Sequence, residues 1–426
     1  MMPIDRFERQ LPVLLEGLAE PRTPDYFDEL LWQTAHSSQR PAWTSIERWL
    51  PMLEVIRRPV ATQMPWRPIG VLFLIVLALV ASLVLAGARR PLPPLFGPAA
   101  NGLVLHSEGG DIYTFDPRTG RSQAMVTGPE EDFDPAWSRD GTNILFQRRI
   151  TAGTEDVYIA RADGSGLRRL TSEPLEDVWS YDLSADGRSV AIVGAVKGIH
   201  GLFVANSDGS AITQLDAGIV VTEATFRPTG SDILFVGAGS VDGGYSGLYL
   251  IDQDGANRRT LLEPQLDSWF VGEPRWSPDG MRIAYSRWLP SYTPKDLRVH
   301  VMDADSTHDR IVGHRDGAWM EGWPVWSPDG RRLLIQRNTG TSGDWTNPSQ
   351  PIVISADGSE PEVRVRFDSA FAMPATWSPD GTTIQATPHD AKSNGLQQLL
   401  WDPVTGVSRP APWIATSYPA WQRVAP

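Results

Sequence analysis

From residue 101 onward the chain reads as short apolar runs broken by polar turns. One unit shows the pattern: Val325-Trp326, Leu333–Gln336, Ile352–Ser355 and Val363–Arg366 are each expected as a strand. Two earlier stretches differ. In residues 1–66, Phe7, Leu11, Leu14, Leu15 and Leu18 recur at helical spacing. A second helix is expected from Thr23, with Pro24 at its first position and Tyr26, Phe27, Leu30, Leu31 and Trp32 on its apolar side. A third carries the capping box Thr44-Ser45-Ile46-Glu47, and Pro51 ends or kinks it. Residues 69–88 hold no charge; a helix of that length spans about 30 Å, the hydrocarbon thickness of a bilayer.

The strand-forming region is periodic. Trp276-Ser277-Pro278-Asp279-Gly280, Trp326-Ser327-Pro328-Asp329-Gly330 and Trp377-Ser378-Pro379-Asp380-Gly381 are the same pentapeptide. Trp137-Ser138-Arg139-Asp140-Gly141 departs at one position. Leu183-Ser184-Ala185-Asp186-Gly187 and Phe226-Arg227-Pro228-Thr229-Gly230 are degenerate copies, and Trp421 repeats only the strand before the turn. Proline presets the first corner of a tight turn, Asp bonds its own backbone, and Gly takes the left-handed position. The strand-a tryptophans Trp137, Trp276, Trp326, Trp377 and Trp421 are therefore expected in the core. The glycines Gly141, Gly187, Gly230, Gly280, Gly330 and Gly381 are expected in the turns.

Each unit reads as four strands, with a second tight turn between the third and fourth, as at Asp163-Gly164, Asp208-Gly209, Asp254-Gly255 and Asp357-Gly358. Such a period indicates a propeller. Residues 101–127 supply three strands without the Trp strand, and 417–426 supply the Trp strand alone. A blade built from both ends closes a ring of seven and leaves no open sheet edge at the seam.

Composition narrows the classes. The chain has 426 residues, a net charge of −13 and no cysteine. Disulfides, thiolate metal ligands and a cysteine nucleophile are thereby excluded. The charge is uneven: residues 101–426 hold 28 basic and 42 acidic side chains, which argues against nucleic acid as partner. Arg57, Arg58 and Arg67 precede the apolar stretch and Arg89 and Arg90 follow it, a bias toward a cytoplasmic N-terminus. Residues 91–100, rich in proline, are expected to be a stiff extended spacer.

The Trp-Ser-Pro-Asp-Gly turns, with segments such as 156–164 followed by Arg169-Leu170-Thr171, resemble the TolB-type, WD-repeat-like β-propeller family. The resemblance covers about three quarters of the chain. It implies fold more than function. The family's namesake is a periplasmic protein-binding scaffold with an α/β domain before its propeller. A helical segment and an apolar stretch stand there instead, so the namesake's partners do not transfer. The layout is also similar to that of bacterial anti-sigma factors. The zinc-binding class needs His-x3-Cys-x2-Cys, and here Arg40 and Trp43 follow His36 at the matching positions. A zinc domain is excluded, and a metal-free one stays open.

Catalytic patterns are missing from the sequence. Ser246 and Ser342 lack the second Gly of a nucleophile elbow. Asp303-x-Asp305-x3-Asp309 lacks the Gly and distal Glu of a calcium loop. His300, His308 and His314 have no ligand spacing. No cofactor or metal is expected.

Geometry points elsewhere. In an antiparallel four-stranded blade the a–b and c–d turns share one face, and the b–c and d–a connections share the other. The tight Asp-Gly turns fall on the first face. The long loops 237–247, 263–274, 288–296, 313–324 and 338–351 fall on the second, where binding sites are built. They carry Trp269, Phe270, Trp288, Tyr292, Trp319 and Trp345, and Trp179 lies on the same face beside Glu176 and Asp177. Large amphipathic aromatics suit peptide or sugar recognition; the alternative is that they fold inward and cap the blades. If so, the acidic loops at Glu130–Asp134 and Glu173–Asp177 are the next candidates.

The expected architecture is an all-β seven-bladed β-propeller at 101–426, preceded by a small α-helical segment (1–66), one transmembrane helix (67–90) and the spacer (91–100). The expected function is non-enzymatic binding of a protein, peptide or glycan outside the membrane. The bilayer would be a partner through residues 69–88, and a cytoplasmic partner of residues 1–66 is open. One alternative is transmembrane signalling with a metal-free regulator in 1–66. The other is a propeller enzyme, a lyase or glycan hydrolase.

Overall fold

The computed structural model describes residues 75, 93–94, 97–171, 175–196, 198–215, 219–238, 245–264, 270–288, 297–313, 319–338, 349–359, 362–364, 371–388, 396–415 and 418–425. The chain divides into two compact units, Met1–Ala88 and Arg89–Pro426. The three helices expected in 1–66 lie outside the described residues, as does the expected span except for Ile75. Among the described residues no helix is long and apolar enough to cross a membrane.

The second unit is all β. The first blade is β4 (Glu131–Trp137), β5 (Asn143–Thr151), β6 (Thr154–Arg161) and β7 (Arg168–Arg169), in that spatial order. The second is β8 (Val178–Leu183), β9 (Ser189–Val196), β10 (Ile199–Asn206) and β11 (Ile212–Leu215), and the third is β12 (Val220–Phe226), β13 (Asp232–Ala238), β14 (Ser246–Asp252) and β15 (Arg259–Leu262). The fourth is β16 (Val271–Trp276), β17 (Arg282–Trp288), β18 (Leu297–Asp303) and β19 (Arg310–Val312). The fifth is β20 (Met320–Trp326), β21 (Arg332–Asn338), β22 (Ser349–Ser355) and β23 (Val363–Arg364). The sixth is β24 (Phe371–Trp377), β25 (Ile384–Pro388), β26 (Leu396–Trp401) and β27 (Ser408–Ala415), joined to the fifth by the Ser349↔Phe371 bridge.

The seventh blade uses both ends of the array. β1 (Ala100–Glu108), β2 (Asp111–Asp116) and β3 (Arg121–Val126) pair in order, and β28 (Ala420–Val424) adds on the open side of β1. Trp421 lies opposite Val104 and Ala420 opposite Leu105. The seam is tight. Gln422 Nε2 donates to Gly141 O at 2.7 Å in the first blade, and a Cβ on Gly141 would stand 2.4 Å from the Arg423 carbonyl oxygen. Gly141 also has φ +68, so no other residue fits there without strain.

The core lies between blades. Ala284, Val299 and Val301 of the fourth pack on Trp326, Leu333 and Ile335 of the fifth. Leu334 and Val353 of the fifth pack on Trp377, Ile384 and Trp401. Trp276, Trp326 and Trp377 are buried, as their register predicts. Trp137 and Trp421 are only half-buried, because Trp137 borders a cavity at the channel and Trp421 stands edge-on to Trp413 at the seam.

The pentapeptide turn works through its serine and aspartate. Ser277 Oγ donates to Asp279 Oδ1 at 2.5 Å and accepts the Arg282 amide at 2.9 Å, while Gly280 N closes the turn on Ser277 O at 2.8 Å. Burial would raise the Asp279 carboxyl, but the Ser277 hydroxyl and Met281 amide outweigh it and hold it below its usual range. Gly230 is the exception among the six glycines. It lacks the positive φ of the others, and its amide reaches Arg227 O at only 3.4 Å. Arg227 and Thr229 replace the serine and aspartate there, so the bond that tightens the other turns is missing.

The end of the proline-rich stretch is docked on the propeller. Arg423 Nη2 donates to Pro94 O at 3.1 Å and Gly97 O at 2.8 Å, and Ala99 N donates to Pro379 O at 2.9 Å. The chain thus joins the ring on the tight-turn side of the seam.

Candidate functional site

Successive first strands touch one another, β8 with β12, β12 with β16 and β16 with β20, so they line the central channel. Each of β4, β8, β12, β16, β20 and β24 breaks register with its partner strand, at Phe133/Ala136, Val178/Ser180, Val221/Glu223, Gly272/Arg275, Gly322/Val325 and Phe371/Ala375. A bulge leaves backbone groups outside the ladder. At three of them the residue before a proline is left-handed: Asp134 (φ 49), Glu273 (φ 50) and Trp323 (φ 52). Such backbone costs of order 1–3 kcal/mol and persists only where its surroundings fix it.

Neighbouring blades fix it here. Glu273 N donates to Glu223 Oε1 at 3.0 Å. Trp323 N donates to Ser286 Oγ at 3.0 Å. The Tyr181 hydroxyl donates to Asp134 O. Polar side chains of one blade thereby hold the bulged backbone of a neighbouring blade around the channel wall.

The Glu223–Glu273 pair has unusual electrostatics. Burial first, then the Glu223 charge, pushes the Glu273 carboxyl up to about 7, against the Ser286 hydroxyl, Arg275 and the Trp323 amide. Glu273 Oε2 is buried without a hydrogen-bond partner in the structure. Arg275 Nη1 lies 3.8 Å from Glu223 Oε2 and keeps that carboxylate the better compensated of the two. The sequence carried one signal for this wall: Asp134, Glu223 and Glu273 all stand three residues before the strand-a anchor.

The aromatics expected on the long-loop face divide into three groups. Trp179, the bulged residue of β8, is 37% exposed and stacks on His200 at 4.5 Å. Phe270, also 37% exposed, stands edge-on to half-buried Trp288 at 6.4 Å, and the Trp288 amide donates to its carbonyl at 2.9 Å. Trp319 is half-buried, 4.4 Å from the Arg337 guanidinium. That guanidinium is itself held by Glu321 and Glu362, each at 2.6 Å. Trp319 therefore covers a buried ion cluster. Trp269, Tyr292 and Trp345 lie outside the described residues.

The acidic loop at Glu130–Asp134 is largely engaged. Arg148 Nε donates to buried Asp132 at 2.6 Å, and Arg149 lies 3.2 Å from Glu131. Asp303, Asp305 and Asp309 are bonded to His308, Thr307 and His300 respectively and do not converge. Among the described residues no group of three or more His, Cys, Asp or Glu is placed to hold a metal ion.

Residues 86–267 match the family model for the TolB beta propeller domain. The chain is thus similar to TolB-type propellers over that stretch. Two bacterial relatives share parts of it. The uncharacterized peptidase YuxL of Bacillus subtilis is 25% identical over 47% of this chain and 27% of its own length. The uncharacterized protein Atu1656 of Agrobacterium fabrum is 26% identical over 42% of this chain and 48% of its own length. The matched stretch thus spans less than half of either relative. Among solved structures, an oligogalacturonate lyase in complex with manganese has a TM-score of 0.54 at 16% identity, over 70% of this chain and 84% of that one. That likeness shows the propeller fold.

A side chain crosses the tight-turn mouth of the channel. Arg139, in the turn of the first blade, donates from Nη2 to Pro278 O at 3.0 Å in the turn of the fourth. Arg139 stands where the first blade's copy of the Trp-Ser-Pro-Asp-Gly turn lacks its proline, so that departure in sequence coincides with the crossing.

Proposed function

We propose that the protein is a membrane-anchored, non-enzymatic binding propeller that recognises a protein, peptide or glycan on its long-loop face. The observation that carries this reading is the exposure of Trp179 and Phe270, 37% each, beside the channel wall in the second and fourth blades. Exposed aromatics on a rigid scaffold are the usual anchors of recognition. The Arg139 crossing at the opposite mouth favours approach from the long-loop side. Residues 69–88 would anchor the chain in the bilayer, with the propeller outside and residues 1–66 in the cytoplasm.

The Glu223–Glu273 pair favours the enzyme alternative as a second reading. A carboxyl held near 7 suits proton transfer in a lyase or glycan hydrolase. Recovery of ligand from the protein separates the two readings. Intact ligand, lost from the Trp179→Ala and Phe270→Ala variants, supports binding. Cleaved ligand that becomes intact in Glu273→Gln supports catalysis.

A further inference from the structure

We propose that the tight-turn end of the central channel is a second binding site, for a small organic carboxylate held among Arg139, Arg227 and Arg275. A cavity of about 250 Å³ lies there, walled by the inner-strand ends of the first four blades. Its apolar surfaces are Trp137, Phe226 and Trp276. Its charged lining is the three arginines and Asp182. Sites for drug-sized ligands run to about 300–1,000 Å³, so the occupant is small.

The single carboxylate of the lining is already committed. Asp182 Oδ2 accepts the Thr225 hydroxyl and the Phe226 amide, both at 2.8 Å. The partners of Arg227 and Arg275 reach them from outside the cavity: Asp232 at 3.4 Å from Arg227 and Glu223 at 3.8 Å from Arg275. A guanidinium presents five N–H donors in a planar fork that matches a carboxylate. Arg139 uses one on Pro278 O at 3.0 Å, Arg227 one on Gly280 O at 2.9 Å and Arg275 one on Pro274 O at 2.9 Å. Burial, and then the like charge of Arg423, pulls the Arg139 guanidinium down to about 10, with Asp182 opposing. An anion in the cavity would relieve that crowding. The chain as a whole carries −13, so attraction of an anion to this point is local and comes from these three side chains. The flat aromatic walls suit a ligand whose carboxylate is joined to a planar apolar body.

The test is calorimetric titration of the full-length protein with benzoate, with benzamide as the uncharged control. Saturable benzoate binding, at least tenfold weaker for benzamide and at least tenfold weakened by Arg139→Met, is the expected result. Arg275→Met is titrated in parallel and decides the matter if circular dichroism shows that Arg139→Met does not fold. Absence of benzoate binding, equal binding of benzamide, or affinity unchanged in the folded arginine variants overturns the proposal.

Discussion

The Arg282 guanidinium lies 4.7 Å from the centre of the Trp326 ring in the following blade and donates to Gly330 O in that blade's turn at 2.6 Å. Arg227 repeats the arrangement on Trp276 and Gly280, at 5.1 Å and 2.9 Å. Arg332 lies over Trp377 at 5.1 Å. One cation thus locks a buried ring and the turn that follows it, so the repeat stabilises the junction between blades as well as each hairpin.

Replacing Trp326 by Ala is expected to cost about 3–5 kcal/mol, through the emptied junction core. Arg282→Ala is expected to cost about 1–2 kcal/mol, from the ring contact and the lost hydrogen bond. Urea unfolding measures both. The double variant should cost less than the sum, because both changes break one contact.

Deletion of residues 417–426 removes β28 and the Gln422 and Arg423 contacts that close the ring. A loss of several kcal/mol is expected across the whole propeller. Thermal unfolding at the wild-type midpoint would place the closure elsewhere.

Glu273 gives a pH dependence with a defined sign. Its carboxyl is raised from 4.5 to about 7 in the folded protein. Between those values the native state holds a proton that the unfolded chain has released. Stability from this group is therefore full below pH 4.5 and falls as pH rises to about 7. Other carboxyls titrate as well, so the measured quantity is the difference between wild type and Glu273→Gln across pH 4–8. A difference that does not change with pH would show that Glu273 titrates normally.

The expected span has its own test. Reporter fusions after residue 100 should be active only outside the cytoplasm. Cytoplasmic activity reverses the orientation, and a full-length chain free of membrane removes the anchor.

The seven blades were legible because each turn repeats Ser, Asp and Gly at positions where tight-turn geometry requires them. Closure was legible because 101–127 lacks the strand that 417–426 supplies. The Arg282–Trp326 clasp was not, since it links residues of different units and leaves no local pattern. The Glu223–Glu273 pair was hidden for the same reason, and its pKa depends on burial that appears only when two first strands meet. The contact of the Trp319 ring with Arg337 was likewise not legible, since it joins a loop residue to a strand of the same blade. The docked end of the proline-rich stretch depends on Arg423, more than three hundred residues away in sequence.

The most direct test of the binding account places a photo-crosslinking amino acid at position 179 or 270, and in parallel at position 208 or 254 on the tight-turn face. The full-length protein is irradiated in intact cells, and the adducts are identified by mass spectrometry. The account predicts one defined, chemically intact ligand at 179 and 270, absent at 208 and 254. Adducts confined to the tight-turn positions, or only cleaved ligand at 179 and 270, would contradict it.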